Sequence, residues 1–157
     1  MKPGTFRQMY VQLVFAVRHR ENLLHPSIRP RIFEYVSGIA TNLNHKSIIV
    51  NGYSDHIHIL LGFHPSVTIS DTVHDIKRVS SIFINDNRLV SGHFSWQDGY
   101  GAFTYHHSQI DNVYRYILNQ EKHHGSQSFR NEFTSMLETY EIEYDSRFLF
   151  EFYELNS

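Results

Sequence analysis

Residues 55–61 read Asp-His-Ile-His-Ile-Leu-Leu, and this alternation limits the folds open to the chain more than any other stretch. Successive side chains of a strand point to opposite faces, so Ile57, Ile59 and Leu61 share one face and His56 and His58 the other. Neighbouring segments supply partners. Residues 10–17, 46–50 and 102–105 carry the β-branched and aromatic residues of strands, with Asn51-Gly52 and Asp98-Gly99-Tyr100-Gly101 as turn signals. Over 31–43, Ile32, Val36, Ile39 and Leu43 recur at helical spacing. Thr68-Ile69-Ser70-Asp71 resembles a capping box that opens a second helix with Ile69, Val73, Ile76 and Phe83. Two more helical patterns cover 110–124 and 128–137. The order β-α-β-β-α-β followed by helices predicts an α+β fold, a ferredoxin-like (RRM-like) antiparallel sheet with additional C-terminal helices. Nothing splits the chain, so one domain is expected over 1–157, with 138–157 an acidic, aromatic tail.

Composition removes several chemistries. The chain has 157 residues and no cysteine, which excludes disulfides, thiolate metal sites and a cysteine nucleophile. It contains neither HExxH nor GxxxxGK[ST], so zincin and P-loop chemistry are excluded. No run of about 18 apolar residues and no signal-peptide core are present, which predicts a cytoplasmic protein without a membrane partner. Charge is uneven behind the net of −2: residues 138–157 hold six of the 16 acids and, in Arg147, one of the 14 Lys/Arg. The remainder is positive, with Lys2, Arg7, Arg18, Arg20, Arg29 and Arg31 near the start, so a polyanion would find a local positive field.

Histidine is abundant at 12 residues. His56 and His58, two residues apart on one strand face, could share a divalent metal, or could be two polar residues on the solvent face of a half-buried strand. A second constellation lies in 110–124. Ile110, Val113, Tyr114, Ile117 and Leu118 follow the i, i+3, i+4, i+7, i+8 rule and form an apolar face, on which Tyr114 is expected to pack. Tyr116, Gln120 and His123 form a separate stripe on a polar flank. That stripe is either the ordinary polar side of an amphipathic helix or a reactive one. A phenol, with a pKa near 10, is a weak nucleophile unless its electrophile is activated. A metal held by the imidazole pair could polarise a phosphodiester oxygen, and a Gln one turn after the Tyr can reach the same ion.

These residues together resemble the single-tyrosine HUH transposases of the TnpA type, the IS200-like transposases. The likeness runs through Leu13-Val14-Phe15-Ala16-Val17-Arg18-His19-Arg20, the His56-Ile57-His58 strand, Lys77-Arg78-Val79-Ser80-Ser81, Trp96-Gln97-Asp98-Gly99-Tyr100-Gly101 and Tyr116-Ile117-Leu118-Asn119-Gln120. It implies a DNA-strand nicking and joining enzyme that acts on single-stranded DNA at hairpin-marked ends, through a 5′-phosphotyrosine intermediate. His56, His58 and Gln120 would bind Mg²⁺ or Mn²⁺, Tyr116 would be the nucleophile, and Arg18, Arg20, Lys77 and Arg78 would lie along the DNA path. The resemblance also implies a homodimer in which the tyrosine helix of one subunit can complete the site of the other. A host-adopted relative acting on repeated palindromes and a non-catalytic nucleic-acid-binding module are the alternatives.

Overall fold

The computed structural model of the chain describes residues 4–124 and 127–145, with the backbone alone at Arg20. Four strands, β1 (Tyr10–Ala16), β2 (Lys46–Gly52), β3 (His56–Gly62) and β4 (Gly101–Thr104), pair antiparallel in the order β2-β3-β1-β4. Helix α1 (Arg29–Asn42) joins β1 to β2, and α2 (Ile69–Asp86) joins β3 to β4. Helices α3 (Ile110–Leu118), α4 (Gln120–His124) and α5 (Phe129–Thr139) follow the last strand. The result is a mixed α+β fold on one four-stranded sheet.

The two faces of the sheet separate as strand alternation requires. Leu13, Phe15, Ile57, Ile59 and Leu61 join Ile32 and Val36 of α1 and Val73 and Ile76 of α2 in the larger core. On the opposite face Val14, Ala16 and Phe103 meet Phe129, Phe133 and Leu137 of α5. Burying each phenylalanine contributes on the order of 1.5–3 kcal/mol. Helix α5 lies hard against the sheet: a Cβ at Gly101 would sit 2.7 Å from the Phe133 ring. Thr68 caps α2 by accepting from the Asp71 N–H (3.0 Å), and Ser128 caps α5 by accepting from Asn131 N–H (3.2 Å).

Three expectations need correction. Asn51-Gly52 is the end of β2, and the chain turns after it, over residues 53–55. Only glycine fits there, because a Cβ on Gly52 would fall 2.2 Å from the His56 carbonyl oxygen. The helix expected over 110–124 is broken at Asn119. Asn51 donates from Nδ2 to the carbonyls of Ile117 (2.8 Å) and Leu118 (3.1 Å), satisfying oxygens freed where α3 stops. Tyr114 does not pack: it is 39% exposed, as is its neighbour Leu118 at 54%, while Ile117 is the buried residue of α3. Of the acidic tail, residues 138–145 are exposed and 146–157, with Phe148, Phe150, Phe152 and Tyr153, lie outside the described residues.

Candidate active site

The imidazoles of His56 and His58 project from the face of β3 that α5 covers, so they are fully buried rather than on a solvent face. Phe129 stacks on the His56 ring at 4.1 Å between centroids, making α5 the roof of the pair. Each ring is oriented through its Nδ1. His56 Nδ1 donates to Asp55 Oδ1 (2.8 Å), and His58 Nδ1 accepts from Gln12 Nε2 (2.8 Å). Gln12, itself buried on β1, accepts from the Tyr105 hydroxyl at its Oε1 (2.5 Å). Both Nε2 atoms are thereby turned to one point, where ring orientation is held by outer partners.

At that point stands Glu132, carried in by α5. Its Oε1 lies 2.9 Å from His58 Nε2, 3.4 Å from His56 Nε2 and 3.4 Å from His124 Nε2. Its Oε2 accepts from Gln120 Nε2 (3.0 Å) and, in a short hydrogen bond, from the Tyr116 hydroxyl. Gln120 Oε1 in turn lies 3.0 Å from His56 Nε2 and 3.2 Å from His124 Nε2. The break at Asn119 begins α4 at Gln120 and seats that side chain inside, fully buried. Tyr116 stays half-buried, stacked on His123 (4.8 Å) and edge-on to His58 (6.0 Å).

The electrostatics follow from this packing. Burial raises the Glu132 carboxyl, but the surrounding imidazoles of His58, His124 and His56 outweigh it and hold the group far below the usual carboxylate range. Burial opposes charge on His56 as well, yet Asp55 and Glu132 raise it to about 9. Burial keeps His58 below its ordinary value despite Glu132. Burial and the adjacent carboxylate push the Tyr116 phenol well above 10. One ligand atom from each of His56, His58 and Glu132 lie within 4.8 Å of one another, a spacing and a donor set that can hold a divalent cation.

Four residues singled out in the sequence thus meet: His56, His58, Tyr116 and Gln120. Of the four cations, the three with described side chains, Arg18, Lys77 and Arg78, do not join them. Lys77 and Arg78 belong to α2, whose apolar residues pack on the opposite sheet face. The Lys77 ammonium donates to the carbonyls of Gln97 (2.7 Å) and Gly99 (2.8 Å), and burial pulls it down to about 8 against the charge of Asp98. Arg78 is exposed, 3.9 Å from Asp75, and Arg18 is exposed in the 3-10 turn Arg18–Arg20. The Arg20 side chain lies outside the described residues. Sequence reasoning missed Glu132, Gln12 and His124. Glu132 had a legible signal: it falls three residues after Phe129 and one before Phe133, a carboxylate on an otherwise apolar helix face.

A histidine pair, an amide, a carboxylate and a phenol converge on one face of an antiparallel sheet, a donor set able to hold a divalent cation with a tyrosine at its edge. The chain belongs to the family of IS200-like transposases, whose sequence profile matches residues 5–120. That match takes in both histidines, Tyr116 and Gln120 and stops short of α5. Two solved structures share the fold. One is a candidate transposase from Deinococcus radiodurans R1, 23% identical with a TM-score of 0.60 over 76% of this chain and 96% of that one. The other is a REP-associated tyrosine transposase bound to a REP hairpin, 11% identical with a TM-score of 0.58 over 80% of this chain and 75% of that one. No curated protein matches the chain. Among the described residues no helix is long and apolar enough to cross a membrane.

Proposed function

We propose that the chain is a single-tyrosine transposase that cleaves and rejoins single-stranded DNA at hairpin-marked ends. The observation that carries this reading is the shared carboxylate: Glu132 touches both imidazoles through one oxygen and the Tyr116 hydroxyl through the other. The REP-hairpin complex of the neighbouring structure supports hairpin DNA as the substrate, and the strand order β2-β3-β1-β4 supports the ferredoxin-like reading of the sheet.

In this reading His56, His58 and Glu132, with Gln120 Oε1 beside them, hold a divalent metal, Mg²⁺ or Mn²⁺. When bound, it supplies positive charge that polarises a phosphodiester oxygen. Tyr116 Oη attacks the phosphorus. The phenolic O–H bond breaks and its proton passes to Glu132 Oε2, the Oη–P bond forms, and the P–O3′ bond breaks to leave a free 3′-hydroxyl once it is protonated. Glu132 Oε2 is the acceptor because the phenol already donates to it. Rejoining reverses these transfers with another 3′-hydroxyl. Tyr116 and the imidazoles meet within one chain, so a homodimer need not lend a tyrosine to complete the site. Of the four cations expected along the DNA path, Arg18 and Arg78 are exposed.

The test is a denaturant-resistant protein–DNA adduct formed with a hairpin-bearing single strand and Mn²⁺ or Mg²⁺. His56→Ala and His58→Ala are expected to lower metal affinity and adduct formation together, each by more than about a hundredfold. An adduct that forms equally well in both variants would remove the metal from the reading.

Gln12 gives a second expectation. For His58 Nε2 to ligate, the ring proton must sit on Nδ1, so the Gln12 amide must present its oxygen there and its NH₂ to Tyr105. Gln12→Leu should weaken Mn²⁺ binding about 10–100-fold, whereas Gln12→Glu, which only accepts at that nitrogen, should strengthen it. Calorimetric titration of the folded variants reads both signs.

A further inference from the structure

Beside Tyr116 a cavity of about 420 Å³ opens between α3, α5 and the end of β4, and we propose that it is a nucleobase pocket, holding one unstacked base of the strand being cut. The proposal rests on the transposase reading above and adds to it the chemical group that fixes the strand at the phosphate under attack. Tyr116 and Glu132 both line the cavity, so its occupant belongs to a nucleotide next to that phosphate. Tyr105 and Tyr140 stand on its wall, edge to face with centroids 6.0 Å apart, and Asn112 and Gln127 contribute amides.

The composition of the lining decides what it can take. No lysine, arginine or histidine lines it, and its one charged side chain, Glu132, is anionic and engaged with the imidazoles. A phosphate would meet no cation there and one repelling carboxylate. A neutral, flat, hydrogen-bonding ring meets aromatic faces, which stack on any base, and amides that place a donor beside an acceptor as base edges do. The volume lies in the range of pockets that enclose small ligands. A polar rim over aromatic walls also explains why phenols, rather than phenylalanines, stand here: the Tyr105 hydroxyl is tied to Gln12 and through it to His58, so the pocket wall and the metal cradle are held by one chain of hydrogen bonds.

The test uses the hairpin-bearing strand that the full chain converts to a covalent adduct. Abasic residues replace, one at a time, the two nucleotides on either side of the cut. Adduct rates are measured for the unsubstituted protein, Tyr140→Ala and Asn112→Ala; Asn112 is exposed on α3, so its variant keeps the fold even if Tyr140→Ala does not. The expected result is a loss of about tenfold at one abasic position with the unsubstituted protein. On the intact strand each variant should lose a comparable factor, and on that abasic strand it should lose little more, the signature of two groups that touch. No loss at any position, or equal losses at every position in all three proteins, would overturn the pocket while leaving the transposase reading standing. Failure of any strand to form an adduct would overturn that reading, and the pocket with it.

Discussion

Tyr116→Phe is expected to lose the covalent protein–DNA adduct entirely, a drop of more than about a thousandfold in cleavage, and to bind the hairpin strand as before. The phenyl ring keeps its stack on His123 and its edge contact with His58, so only the oxygen leaves. Glu132 Oε2 still accepts from Gln120 Nε2, and the cost to the fold is about 1.5–3 kcal/mol for one lost hydrogen bond to a charged group. Tyr114→Phe serves as the control. Two positions earlier on the same helix, Tyr114 faces solvent, and its replacement should leave the adduct unchanged. A denaturing gel reads the adduct and a mobility shift reads binding. Loss of both in Tyr116→Phe would make the residue a binding group; loss of the adduct in Tyr114→Phe alone would move the nucleophile.

The contrast between these two tyrosines shows how far the sequence could be read. Helical spacing separated Tyr116 from the apolar stripe correctly, because that depends only on the angle between successive residues. The same spacing assigned Tyr114 to packing, and there it failed, since which part of an apolar face is covered depends on where the helix lands. Asn51, read as half of a turn, ends α3 by capping its carbonyls from 66 residues away in sequence. The alternation of the strand His-Ile-His-Ile-Leu-Leu was legible, because which residues share a face is a property of the strand itself. Its roof was not. Nothing local to 55–61 says that a helix beginning at Phe129 will cover the imidazoles, and the family's matched segment, 5–120, ends before that helix.

Glu132 is therefore the residue on which the site depends most and which the sequence disclosed least, and Glu132→Gln is expected to have the second largest effect. Glutamine keeps the size and one carbonyl oxygen but cannot take the Tyr116 proton or set a negative charge beside the His56 and His58 rings. Adduct formation should fall more than about a hundredfold, and Mn²⁺ affinity with it. Stability should fall too, because removing one partner of a buried charged network costs about 3–5 kcal/mol. The pH dependence gives the sign. A carboxyl held far below its unfolded value of about 4.3 stabilises the fold above that pH and loses the contribution as pH falls through its folded-state value. The gap in melting temperature between the two proteins should accordingly be full at pH 7 and narrow in strong acid. One outcome would reverse the assignment. If Glu132→Gln binds Mn²⁺ more tightly than the unsubstituted protein, the carboxylate is a competitor occupying the metal's place, and the third protein ligand is Gln120 alone, whose Oε1 already lies 3.0 Å from His56 Nε2.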